Sequence, residues 1–83
     1  MAKPITTEFF SHDKQFPDDG YYVTHYEDGY RIHWYDGVEG HDAENDEVFA
    51  SRAEALRGIL ADWADTGNYE ADLLDVKEAL ATA

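Results

Sequence analysis

Cysteine is absent from the 83 residues, which removes disulfides and thiolate metal sites as means of holding a small core together and leaves the redox compartment open. Basic residues are scarce: six Lys and Arg stand against 19 Asp and Glu, a formal net charge of −13. Solubility alone asks for about 2 to 8 charges in a domain this small. A field of this sign repels nucleic acid and anionic lipid and draws basic protein surfaces or cations. Long apolar runs are missing too. The longest are fragments such as Gly58 to Ala61, far short of the roughly 20 apolar residues of a membrane span. Met1 to Glu8 lacks the apolar core of a signal peptide, so the expected location is a cytoplasm, with no membrane partner.

Motifs for chemistry are equally sparse. No glycine-rich phosphate loop or nucleophile elbow occurs, and the serines are Ser11 and Ser51 alone. The histidines, His12, His25, His33 and His41, have neither HxxxH nor HExxH spacing, so they read as packing and surface groups rather than metal ligands. Asp42, Glu44 and Asp46 alternate like the start of a calcium loop. The sixth and twelfth positions counted from Asp42, however, hold Glu47 and Ala53 where Gly and Glu are required. The expectation is a non-enzymatic chain without cofactor or metal.

Aromatic residues make up 14% and hydrophobic residues 43% of the chain, and that content argues for a packed core rather than acidic disorder. Eighty-three residues make one small domain, 1–83. Its most legible stretch is Gly20 to Gly37, GYYVTHYEDGYRIHWYDG, where two aromatic and β-branched runs flank Asp28-Gly29. An Asp-Gly pair favours a two-residue type I′ turn. That turn would place Glu27 opposite Tyr30, Tyr26 opposite Arg31, His25 opposite Ile32, Thr24 opposite His33, Val23 opposite Trp34 and Tyr22 opposite Tyr35. Alternation then gives Val23, His25, Tyr30, Ile32 and Trp34 one face, which reads as core. Tyr22, Thr24, Tyr26, Arg31, His33 and Tyr35 take the other, which is either covered by the N-terminal segment or a helix, or a protein-binding patch.

The flanks read less sharply. Ile5, Phe9, Phe10 and Phe16 are candidate core groups, and Ile5 to Phe10 fits a short capped turn or a strand. Pro17-Asp18-Asp19-Gly20 has turn composition. Asp36 to Glu47, with six acids and no base, reads as a loop or ragged edge, and Glu47 to Ala50 as a short third strand. Ser51 with Glu54 makes a capping box for a helix over 51–66, with Ala53, Leu56, Ile59, Leu60 and Trp63 on its apolar arc and Gly58 on its polar side. Asn68 caps a second helix over 69–82 striped by Tyr69, Leu73, Val76 and Leu80. The expected fold is α+β: an antiparallel meander (hairpin 21–36 plus a strand near 47–50) under two C-terminal helices.

The acids themselves admit plain solvation, adaptation to high salt, or mimicry of a phosphate track. In size, acidity and compact α+β pattern, and in stretches such as DGVEGHDAENDE and EADLLDVKEA, the chain resembles the small acidic anti-CRISPR and antirestriction proteins that phages and mobile elements use as DNA mimics. The resemblance carries no family motif and assigns no residue. It implies an inhibitor, in the host cytoplasm if phage-encoded, that occludes the DNA- or PAM-binding groove of a CRISPR effector, with a type I surveillance complex favoured. Asp36, Glu39, Asp42, Glu44, Asp46 and Glu47 are the first candidate phosphate substitutes, and Asp72, Asp75 and Glu78 the second. The alternative is a protein-interaction domain, in a salt-adapted organism, that uses Tyr22, Tyr26, Arg31, His33 and Tyr35.

Overall fold

The alternating residues between Tyr21 and Tyr35 do form the central strand pair of an α+β fold. The computed structural model describes residues 4–13, 16–37, 41–44, 47–66 and 73–82, with backbone alone at 12, 13, 16, 17, 41–44 and 66. Four strands, β1 (Thr6–Asp13), β2 (Phe16–Tyr26), β3 (Gly29–Asp36) and β4 (His41–Glu44), form an antiparallel sheet in the order β1-β2-β3-β4. Two helices follow, α1 (Arg52–Thr66) and α2 (Leu74–Ala81).

The hairpin register differs from the type I′ expectation by two residues. Tyr26 pairs with Gly29, His25 with Tyr30, Thr24 with Arg31, Val23 with Ile32, Tyr22 with His33 and Tyr21 with Trp34, so the turn is Glu27-Asp28. A type I′ turn needs positive φ at both central residues, and of Asp28 and Gly29 only the glycine has it, at 140°. Gly29 is also pressed against the chain beyond the sheet: a Cβ there would stand 2.6 Å from the Phe49 carbonyl oxygen. A two-residue shift preserves the parity of the pleat, so each residue keeps the face that alternation assigned to it.

Three other expectations change. Pro17 to Gly20 is not a turn but part of β2, because a central strand pairs on both sides: Gly20 meets Ser11 and Tyr35, and Asp19 meets Asp36. Asp19, buried, accepts the Gly37 N–H at 2.9 Å. Of the loop and the ragged edge open to the acidic segment after β3, His41–Glu44 takes the edge, pairing along the outer side of β3 as a fourth strand that the expected meander lacked. Glu47 to Ala50 forms no strand. Phe49 makes a single bridge to Tyr30, with N···O distances of 2.8 and 2.7 Å.

Of the two forms open to Ile5 to Phe10, the strand is the one adopted, from Thr6 onward. Phe10 enters the core at 7% exposure, whereas Ile5 at 57% and Phe9 at 39% do not. The core lies between one sheet face and both helices: Phe10, Tyr21, Val23 and Ile32 from the sheet, Ala55, Leu56 and Ile59 from α1, Leu73 and Val76 near and on α2. Fully burying a Val, Leu, Ile or Phe side chain of this set contributes about 1.5–3 kcal/mol. The Tyr21 hydroxyl, carried into this layer, donates to the Asp62 carboxylate at 2.5 Å.

The Ser51 cap forms as spacing requires, and the reciprocal Glu54 bond reaches one residue before the N-cap that a capping box would use. Glu54 N–H donates to Ser51 Oγ at 3.2 Å, and the Glu54 carboxylate accepts the Ala50 N–H at 3.1 Å. The second helix is shorter than 69–82. Leu73 precedes it with φ 46° and ψ 37°, a left-handed conformation that costs a leucine about 1–2 kcal/mol and is held by its burial at 4% exposure. The Asn68 cap and Tyr69 lie outside the described residues.

Gly58 is not a solvent-face residue. The Phe49 ring lies across it, and a Cβ there would collide with ring atom Cζ and stand 2.7 Å from Cε1. Gly58→Ala should therefore destabilise the protein by about 1 kcal/mol or more from overpacking, not stabilise it by the roughly 1 kcal/mol of helix propensity. Urea melts check this, and Phe49→Leu in the same chain should relieve the loss.

Candidate binding face

Pleat parity puts Thr7 and Phe9 of β1, Tyr22, Thr24 and Tyr26 of β2, and Arg31, His33 and Tyr35 of β3 on the sheet face opposite the core. Both helices pack on the core face, so among the described residues no element covers this one. The described part of the N-terminal segment, residues 4–13, does not fold over the tyrosines. It widens their face by one strand.

Aromatic groups meet across the strands. Phe9 and Tyr22 ring centroids are 4.9 Å apart, Tyr22 and His33 6.3 Å, Tyr22 and Tyr35 5.9 Å. Such tilted and edge contacts suit the ring quadrupoles and fix the side chains relative to one another. At the turn end the Arg31 guanidinium lies 5.1 Å from the Tyr26 ring centroid and 2.9 Å from Asp28 Oδ2. His25 is on the opposite face, stacked on Tyr30 at 4.2 Å. The two central histidines therefore do not share a site.

The candidate acids divide. β4 brings Glu44 into register with His33, Asp42 with Tyr35, and His41 with Asp36, so Asp42 and Glu44 of the first group take register positions at the β3–β4 margin of the aromatic face, while Asp36 has the parity of Ile32 and Trp34 and belongs to the other face. Glu47 is exposed just beyond. Asp75 and Glu78 are exposed on α2, which packs on β1, at the other end of the strand order and in the other layer. Asp75 also accepts the Ser11 hydroxyl at 3.3 Å. Three strand spacings, about 14 Å, and a layer of about 10 Å separate the two groups. They do not form one track. Glu39, Asp46 and Asp72 lie outside the described residues.

Alternation in Ile5 to Phe10 could have revealed Phe9 as a member of this face, given a strand there. Sequence reading missed a further pair, Glu8 and Arg52, joined at 2.7 and 3.0 Å. The Glu8 hydrogen bond raises the Arg52 pKa above its ordinary value against the opposing pull of burial, so this cation stays charged and ties α1 to the edge strand. Among the described residues no group of three or more His, Asp or Glu is placed to hold a metal ion, and no helix is long and apolar enough to cross a membrane.

Comparison with protein-family models, with characterised proteins and with solved structures finds no match to this chain. The site is an aromatic sheet face with the register positions of Asp42 and Glu44 along its β4 margin.

Hydroxyl-radical labelling checks the open face. Phe9 and Tyr26 should be oxidised much faster than Tyr21, which is 1% exposed. Equal protection of all three would mean that the face is covered.

Proposed function

We propose that this protein is a non-enzymatic inhibitor that occupies the basic, nucleic-acid-binding groove of another protein and so keeps nucleic acid out. The observation that carries this reading is the meeting of charge and surface: a chain of net charge −13 has Asp42 and Glu44 in register with Tyr35 and His33 at the margin of an aromatic sheet face that no described element covers. Residues two apart on a strand repeat about every 6.8 Å, twice the rise per phosphate on one DNA strand. The acids of that margin therefore fit a partner surface built to hold phosphates. The same field opposes direct binding to nucleic acid. The narrower target, the DNA- or PAM-binding groove of a CRISPR effector of the type I surveillance kind, is supported by the resemblance to small acidic anti-CRISPR proteins.

The division of the acids favours the β3–β4 margin over α2 as the contact. A second reading is supported by the open face itself, on which Tyr22, Tyr26 and Tyr35 stand with Phe9: an interaction domain whose binding depends on the rings and not on the charge.

Pull-down from a lysate of the source host, eluted by a salt gradient, separates the two. Under the proposal it recovers a nucleic-acid-handling protein that duplex DNA displaces. Asp42→Asn and Glu44→Gln together should then weaken binding by about fivefold or more and flatten its salt dependence, with the melting temperature nearly unchanged. A partner indifferent to DNA and to these substitutions, but lost with alanine at Tyr22, Tyr26 and Tyr35, would establish the second reading instead.

A further inference from the structure

The chain contains its own example of a cation bound on this face. Arg31 sits over Tyr26 at 5.1 Å from the ring centroid while Asp28 holds its guanidinium at 2.9 Å. A guanidinium is planar, weakly hydrated and able to stack on a ring while donating to a carboxylate, a combination a lysine ammonium does not match. The other end of the face repeats the ingredients. Tyr22 lies four residues, about 13 Å, along β2 from Tyr26, and it packs with Tyr35 at 5.9 Å. The register sets Asp42 opposite Tyr35 and Glu44 opposite His33.

No described cation of the chain serves this second end. Of the described basic residues, Arg31 alone belongs to a strand, while Arg52, Arg57 and Lys77 belong to the helices, which pack on the opposite face. The aromatic row has a ring surface and an acidic margin but no guanidinium of its own.

We propose that the Tyr22–Tyr35 end of the sheet is an arginine-reading subsite, which takes guanidinium groups of the basic partner over its rings, with Asp42 and Glu44 at the adjacent register positions of β4. The inference rests on the proposed function, since it names the chemistry by which a basic groove is recognised. It commits the contact to arginine-rich rather than lysine-rich protein surface.

Hexa-arginine and hexa-lysine peptides of equal charge test this, titrated at low salt with two-dimensional NMR of the tyrosine rings. The arginine peptide should bind about fivefold or more tightly than the lysine peptide and shift the Tyr22 and Tyr35 ring signals. Tyr22→Leu with Tyr35→Leu should remove the preference without removing the charge-driven binding common to both peptides. Tyr22→Phe with Tyr35→Phe keeps both ring faces and should retain the preference, which guards against loss of fold as the explanation. Equal, salt-sensitive binding of the two peptides would overturn the arginine subsite and leave the groove-occluding function standing. Binding of neither peptide would overturn both.

Discussion

Parity of the β2–β3 pleat is the constraint on which the rest depends. Tyr21, Val23 and Ile32 share one face because alternate side chains of a strand must, and that face collects Phe10, both helices and the core. By the same rule Tyr22, Tyr26, His33 and Tyr35 stand together on the other side. The core and the binding face are two results of a single alternation. The Tyr21 hydroxyl shows how firmly it is imposed, since a polar group carried into the buried layer is met there by Asp62.

Charge is distributed on this frame rather than spread evenly. Part of it is already engaged within the fold: Asp62 by Tyr21, Glu8 by Arg52, Asp28 by Arg31, Asp19 by a backbone N–H. Asp42 and Glu44 lie on the edge strand β4, where charged residues also discourage strand addition by another chain. Asp75 and Glu78 belong to the helix layer near β1. A partner engaging the open face would meet the first group and not the second, which makes β4 the electrostatic component of the proposed contact.

Faces were legible in the sequence and registers were not. Alternation assigns a face even when the turn is misplaced by a residue, because the pairing shifts by two and the pleat repeats by two. The helix cap at Ser51, with Glu54 three residues on, was legible for a similar reason, being local and stereochemical. What escaped depends on distant residues. Pro17 to Gly20 has turn composition but lies in a central strand paired on both sides. His41–Glu44 has loop composition but is drawn into pairing by the free edge of β3. Gly58 has no local rationale at all and is explained only by the Phe49 ring, nine residues earlier, lying across it. The open face was recognisable as a set of tyrosines. That β1 would extend it with Phe9 instead of covering it required knowing the sheet order.

The central claim is that both helices pack on one sheet face and leave the aromatic face uncovered. Side-chain nuclear Overhauser contacts measured on the isolated protein test it most directly. The account requires contacts from the Tyr22 ring to Phe9, His33 and Tyr35, and from Tyr21 and Ile32 to Leu56 and Ile59, with none from Tyr22 or Tyr35 to α1 or α2. Contacts between the Tyr22 or Tyr35 ring and a helix side chain would contradict it, and the proposed binding face would then be part of the core.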